Sequence, residues 1–471
     1  MSFGESVLLT TSEVSFVDKA CRTLFLQCLK QLPFGSLTIQ ENGDVVARFG
    51  TDESDLRATV NIKDVQAYRR LLLGGSVGAG EAFMDGLWDS DDVTAVVRVF
   101  ARNLSTLDEW ENKFKWVTMP INKIQHFARR NTKDQAKKNI EAHYDLGNKL
   151  YTRFLDPTMM YSSAIYPDPN ATLNDAQNYK LKAICDKLQL SETDHLLEIG
   201  TGWGGLAVYA AKHYGCRVTT TTISEEQHAW AKEWIAREEL ESKITLLKKD
   251  YRLLEGKYDK LVSIEMIEAV GKQFLGNFFE KCSSLLKDDG LMLLQSITID
   301  DRRYDSYSNS VDFIQKYIFP GGFLPSQHQL NAHLKKYTNM MIRDLHDIGI
   351  DYAKTLNHWY EAFISAKDEL LNDGYDERFM RMWTYYLKYC EGGFLERAIG
   401  TIREELKERL GQARGKLNGV LASGKIEPQA KQELTYYIEE INELGQIIQF
   451  MFTPEQKAVL NPKLQHANFD Q

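Results

Sequence analysis

Cysteine is scarce and scattered. Cys21, Cys28, Cys185, Cys216, Cys282 and Cys390 stand among 471 residues without a CxxC spacing. That pattern predicts reduced thiols rather than a disulfide framework, and no metal site. No run approaches the ~20 apolar residues that a membrane-spanning helix needs. Met1 to Asp18 has no basic n-region, so no secretory signal is expected and the location predicted is cytoplasmic. An excess of positive charge is also missing: the formal net charge of −9 argues against nucleic acid as a partner. Internal repeats and low-complexity tracts are absent. What remains, 43% hydrophobic and 26% charged residues, is the composition of a globular protein, and its length predicts two or three domains.

One segment reverses the overall charge. Between Trp110 and Lys138 stand Lys113, Lys115, Lys123, Arg129, Arg130, Lys133, Lys137 and Lys138, against only Glu111 and Asp134. Trp110, Phe114, Trp116, Ile121, Ile124 and Phe127 are interleaved with them. Cations beside aromatic anchors suit an anionic lipid surface. The same segment reads equally well as a solvated linker whose rings pack on a neighbouring domain.

Four stretches divide the chain. Residues 1–108 contain strand-like Ser36 to Ile39 and Val45 to Phe49 around the turn signal Glu41-Asn42-Gly43-Asp44, a third run from Ala58 to Ile62, and a helical stretch from Val65 to Leu73. Residues 109–139 are the basic aromatic linker. Residues 140–400 alternate between strand and helix. Strands are expected at His195–Ile199, Arg217–Thr222, Ile244–Leu247, Asp259–Ile264 and Leu291–Ile299, and helices at Leu206–His213, Glu225–Glu239 and Phe274–Leu286, with Ser224 as an N-cap. Such alternation implies an α/β fold with a mostly parallel sheet covered on both faces. Residues 401–471 carry apolar positions at helical spacing in Glu404–Leu421 and Glu427–Phe450, which predicts a helical hairpin.

The strongest local signal is Leu197-Glu198-Ile199-Gly200-Thr201-Gly202-Trp203-Gly204-Gly205. Glycines at alternate positions after a strand let the backbone turn sharply and approach a ligand. A dinucleotide site is the competing reading, and Gly205 does supply its third glycine. That reading also wants an acid closing the second strand, where this chain has Thr220-Thr221-Thr222-Ile223-Ser224 and then Gln227. Glu198, two residues before the first glycine, is instead the arrangement of methyltransferases.

From His143 to about Phe394 the sequence resembles the cyclopropane-fatty-acyl-phospholipid synthases, including the mycolic acid cyclopropane synthases. The matching stretches are His143 to Asn148, Met160-Tyr161-Ser162, Gly200 to Leu206, Thr222-Ile223-Ser224 with Gln227, Asp250-Tyr251-Arg252, Tyr317 to Pro320, and Arg381 to Leu387 with Cys390. The resemblance implies a Rossmann-like class I methyltransferase domain, preceded by a small α+β lipid-transfer-like domain and followed by a helical extension. It implies S-adenosylmethionine held along Tyr161, Ser162, Glu198, Gly200, Gly202, Gly204, Thr222, Ile223, Gln227, Tyr251 and Arg252. The implied substrate is an unsaturated acyl chain of a phospholipid, reached by a homodimer bound peripherally to the inner membrane surface.

The resemblance also implies a bound bicarbonate as the base. Position by position, its holders become Glu268, Tyr352, the backbone of Ile297, Ser163 in place of a cysteine, and Gln295 in place of a histidine. Ala269 also replaces a histidine. An amide can donate to an anion but cannot carry a positive charge or shuttle a proton, so bicarbonate should be held less tightly here. Product choice is thereby opened between a cyclopropane and a methyl- or methylene-branched chain. Cys390 matches a cysteine sometimes marked catalytic, and reads equally as a buried structural thiol. A lipid-binding homologue without chemistry is the remaining alternative, and the intact glycine loop argues against it.

Overall fold

The computed structural model describes residues 15–51, 54–107 and 147–408. The basic aromatic segment, residues 143–146 and the hairpin expected beyond residue 408 lie outside the described residues.

The chain's first sheet is built on the hairpin its sequence signals. Asn42 and Gly43 both take left-handed φ values, 52° and 98°, which suits a tight connection between β1 (Ser36–Glu41) and β2 (Asp44–Gly50). β3 (Arg57–Ile62) runs parallel to β1, and the short β4 (Trp88–Asp89) gives the order β2-β1-β3-β4. Leu37 and Ile39 on β1 and Ala58, Val60 and Ile62 on β3 are buried. They join a core with residues of helices Phe16–Leu29, Gln66–Met84 and Val93–Arg102. The second helix outruns the expected Val65–Leu73 because it continues past a break at Gly75, whose φ of 53° and ψ of −139° only glycine adopts readily.

The larger sheet contains β5 (His195–Ile199), β6 (Arg217–Thr222), β7 (Ile244–Lys248), β8 (Tyr258–Ile264), β9 (Leu286–Ile299), β10 (Met340–Asp347) and β11 (Ile399–Glu408). Their order is β10-β11-β9-β8-β5-β6-β7. The five from β9 to β7 are mutually parallel, and β11 is antiparallel to both β9 and β10. Leu196, Leu197, Leu261, Val262 and Met292 to Leu294 are fully buried, as strands covered on both faces require. The chain steps from β5 to β6 and β7 on one side, then returns to β8 on the other. A sheet of this kind opens its ligand crevice at that reversal, beyond the carboxyl ends of the strands. Among the described residues, no helix is long and apolar enough to cross a membrane.

One expectation is corrected. Residues 404–408, read as the start of a helix, belong to β11, so the central unit extends beyond residue 400. Arg403-Glu404-Glu405-Leu406 has helical composition, but β11 lies between β9 and β10, and pairing on both edges overrides that propensity. Arg403 and Glu404 are buried there despite their charge.

The first sheet's unit and the central unit share one hydrophobic core. Helix Val93–Arg102 packs on helix Glu377–Leu395, and Glu396 accepts from both Arg98 (2.7 Å) and Arg102 (2.9 Å). The approach is close at Gly80, where an added Cβ would lie 2.2 Å from the Phe313 ring and 2.9 Å from the Tyr385 ring. Gly80→Val should therefore destabilise the protein by ~1–3 kcal/mol, the usual cost of overpacking. Gly74→Ala, whose Cβ would meet nothing within 4 Å among the described residues, should change stability little. Denaturant melts of both variants check the pair.

Candidate active site

The glycine loop is shaped by three left-handed residues: Gly200, Gly202 and Gly204, with φ of 104°, 53° and 100°. A Cβ at Gly205 would lie 2.3 Å from the carbonyl oxygen of Thr158, and one at Gly204 would press on Ala231 at 3.1 Å. At Gly202 a Cβ would meet, among the described residues and apart from its chain neighbours, nothing within 4 Å. That position faces a cavity of about 1440 Å³, larger than the ~300–1,000 Å³ of ordinary ligand pockets.

Ten of the eleven residues assigned to the cofactor line this cavity: Tyr161, Ser162, Glu198, Gly200, Gly202, Thr222, Ile223, Gln227, Tyr251 and Arg252. Gly204 stands behind the loop and shapes it. Glu198 accepts a hydrogen bond from the Thr220 hydroxyl at 2.6 Å, and burial pushes its carboxyl up to about 8. Thr222 donates to the Gln227 side chain at 2.9 Å, and Ser224 caps the helix that presents Gln227. Asp250 accepts from the backbone and guanidinium of Arg252, fixing the turn that carries Tyr251. These donors, the exposed backbone at Gly202 and the buried carboxyl fit a ligand with a polar amino-acid end and a sugar.

Beside this region lies a second constellation. Three of the five expected anion holders converge, but on a residue the sequence reading passed over. Glu265 Oε1 accepts from the Ser163 backbone N–H at 3.0 Å and from Gln295 Nε2 at 2.8 Å, and its Oε2 accepts from the Tyr352 hydroxyl at 2.8 Å. Ser163 thus contributes its N–H, while its hydroxyl donates to the Ala164 carbonyl. Glu268 Oε1 accepts from the Ile297 N–H at 2.6 Å and from Ser296 Oγ at 3.1 Å. Three of the five groups assigned to bicarbonate are therefore satisfied by the protein's own carboxylate. Bicarbonate does not fit that cradle as built.

Glu265 holds its position against backbone preference. Its φ is 47°, a left-handed conformation that costs a non-glycine residue ~1–2 kcal/mol and that proteins keep mainly at functional sites. Glu265 and Glu268 both line the cavity. Burial, and then the charge on Glu265, pushes Glu268 up to about 8. Burial also raises Glu265, while Gln295, Lys180, Ser163 and Tyr352 oppose that rise. Lys180, likewise missed in the sequence, is fully buried and donates to Ser162 Oγ at 2.7 Å. Burial lowers its ammonium to about 7, against the attraction of Glu265 and Asp156.

Aromatic rings enclose the carboxylates. Tyr352 stacks on Phe394 with centroids 4.6 Å apart, and the Tyr161 hydroxyl lies 2.9 Å from that of Tyr386. Tyr161, Phe319, Tyr352, Tyr386 and Phe394 all line the cavity. Cys390 lines it too, but burial and then Asp312 push its thiol up, the behaviour of an inert structural cysteine. Farther on, the wall passes to Leu71, Leu72, Val96, Val97, Phe100 and Leu104 of the first unit.

A family model described as mycolic acid cyclopropane synthetase matches residues 131–403. The chain is 40% identical over 346 residues to the cyclopropane-fatty-acyl-phospholipid synthase of Escherichia coli, covering 73% of this chain and 86% of that one. It is 36% identical over 333 residues to a tuberculostearic acid methyltransferase of Mycobacterium tuberculosis, covering 69% and 77%. Among solved structures, the cyclopropane synthase MmaA2 from Mycobacterium tuberculosis superimposes with a TM-score of 0.54 at 27% identity, over 58% of this chain and 98% of that one. A mycolic acid cyclopropane synthase complexed with SAH and CTAB gives 0.54 at 28% identity over the same shares.

The open space at Gly202 generates a test of cofactor placement. Gly202→Val adds a branched side chain there on a left-handed backbone, and should abolish S-adenosylmethionine binding in calorimetry. Retained affinity would show that the loop does not hold the cofactor.

Proposed function

Because the chain belongs to the mycolic acid cyclopropane synthetase family, we propose that it is an S-adenosylmethionine-dependent methyltransferase that adds a one-carbon unit to the double bond of an unsaturated acyl chain in a phospholipid. The observation that carries this reading is the continuity of one cavity. It joins the glycine loop, the carboxylate pair and an apolar wall contributed by the first unit.

When bound, S-adenosylmethionine supplies an electrophilic methyl group. Tyr161, Ser162, Glu198, Gly200, Gly202, Thr222, Ile223, Gln227, Tyr251 and Arg252 would hold it. An isolated alkene is a poor nucleophile, so it must be held in line with that methyl in a site that excludes water. The apolar wall suits that task. Methyl transfer leaves a positive charge on the acyl chain, which the faces of Tyr161, Phe319, Tyr352, Tyr386 and Phe394 are placed to stabilise.

The first unit serves in this reading as a lipid-binding domain, since its residues form the far wall of the cavity. Residues 109–139 are assigned to contact with anionic lipid on their composition, which would keep the protein on the inner membrane surface. A homodimer is supported by the family resemblance alone.

The test is to incubate the protein with labelled S-adenosylmethionine and unsaturated phospholipid vesicles, then analyse the fatty acids. Label in the acyl chain is expected, and its absence would remove the reading. Val96→Trp, which places an indole in the far wall, should lower kcat/KM for long acyl chains more than for short ones. Equal losses at both lengths would show that the first unit does not receive the chain.

A further inference from the structure

The carboxylate pair raises the question of which group receives the proton when the cationic acyl chain is quenched. We propose that Glu265 replaces bicarbonate: its carboxylate, held on Ser163, Gln295 and Tyr352, is the base. This inference rests on the alkylation reading above and goes beyond it by naming a catalytic residue that the family's bicarbonate holders do not include.

The geometry carries it. A carboxylate offers about four lone-pair positions. Glu265 uses three of them, for the Ser163 N–H, the Gln295 amide and the Tyr352 hydroxyl, and it lines the cavity alongside Tyr161, Ile297, Tyr352 and Phe394. The three bonds fix its position on three separate pieces of chain: the segment before helix Leu173–Lys187, strand β9 and helix Gly349–Ser365. Gln295 has no role that requires a proton shuttle in this arrangement. It is an amide donor to an anion already built into the protein, and that explains why the histidine of the resemblance is dispensable.

Charge distribution separates the two carboxyls. Glu265 faces Lys180 from helix Leu173–Lys187, Tyr352 from helix Gly349–Ser365, Gln295 from β9 and Glu268 from its own turn. Its three donors all favour the ionised form. Glu268 accepts on one oxygen from the Ile297 N–H and from a Ser296 hydroxyl shared with the Ile297 carbonyl, and its Oε2 has no hydrogen-bond partner among the described residues. When environments push neighbouring carboxyls apart in this way, the better hydrogen-bonded one holds the charge and the other holds the proton. Glu265 is then the anion and Glu268 the neutral acid.

The step balances without a further reagent. A carbon–carbon bond forms between the methyl carbon and one alkene carbon as the carbon–sulfur bond breaks, leaving the neighbouring alkene carbon cationic. A C–H bond then breaks. Its proton bonds to the Glu265 carboxylate, and its electron pair closes the ring or forms a carbon–carbon double bond. Deprotonating a carbocation is strongly downhill, so placement of the base matters more than its strength. Three hydrogen bonds on Glu265 therefore do not disqualify it.

The experiment uses the full-length protein, labelled S-adenosylmethionine and dioleoylphosphatidylglycerol vesicles, with and without bicarbonate in carbon-dioxide-stripped buffer. The parent should turn over equally in both. Glu265→Gln should lose about 10²–10⁴-fold in kcat, the usual contribution of a positioned base, while cofactor affinity in calorimetry stays near the parent's. Glu265→Gly opens the cradle and relieves the backbone, so added bicarbonate should restore part of its activity. A parent that slows when bicarbonate is stripped overturns the proposal, as does Glu265→Gln turning over at the parent's rate. The parent's response needs no substitution, so it decides the matter even where a variant folds poorly. Absence of label from the parent's lipid in every arm would remove the alkylation reading and this inference together. Label that depends on bicarbonate would remove this inference alone.

Discussion

The Glu265 carboxylate is the knot of the active site. It joins the end of β8 to the segment that carries Tyr161, Ser162 and Ser163, to β9 through Gln295 and to helix Gly349–Ser365 through Tyr352. Each of those pieces also supplies cavity wall. Tyr161 and Ser162 line it on the side of the proposed cofactor site, Ile297 and Tyr352 line it beside the carboxylates, and Leu356 lines it as an apolar residue. A charged group in a low-dielectric site is tolerated only when it is paired and hydrogen-bonded, so loss of any one donor strains the others. The left-handed φ at Glu265 is part of the same constraint, because it is the conformation in which the side chain meets all three donors.

Lys180 links this knot to the cofactor side. Its ammonium is buried, bonds Ser162 and is attracted by Glu265 and Asp156. A positive charge there favours the ionised form of Glu265 and at the same time fixes a residue of the cofactor wall. The two functions proposed for the cavity, holding a methyl donor and holding an anion, are thus electrostatically coupled through one lysine. The aromatic rings around them supply no full charge, and suit a transient cation that must not be trapped by an adjacent nucleophile.

Much of this was legible in the sequence where a local signal and the tertiary structure agree. The glycine loop after His195–Ile199, the Asn42-Gly43 hairpin and the Ser224 cap all depend on backbone geometry that a few residue types dictate. Ten of the eleven residues that the family resemblance assigns to the cofactor line one cavity. Residues 404–408 failed in the opposite way. Glutamate, lysine and leucine at helical spacing describe a solvated helix, and nothing local reveals that two strands flank the segment. The role proposed for Glu265 is hidden for a subtler reason. Ser163, Gln295, Ile297 and Tyr352 were matched one position at a time, and the residue that satisfies three of the groups at once lies only three places before Glu268. A carboxylate at 265, beside the loss of a histidine at 295, was the available signal. Lys180 carried none, since a lysine within a helix reads as surface. Helix Val93–Arg102 was legible too, since Val93, Val96 and Val99 recur at helical spacing and are all buried.

The central claim is that the protein's own carboxylate fills the anion cradle. A crystal structure of the full-length protein with S-adenosylhomocysteine, grown in bicarbonate, tests it most directly. Glu265 should be seen on the Ser163 N–H, Gln295 and Tyr352, with no bicarbonate bound to those groups. Bicarbonate seated on them, with the Glu265 side chain turned away, would contradict it.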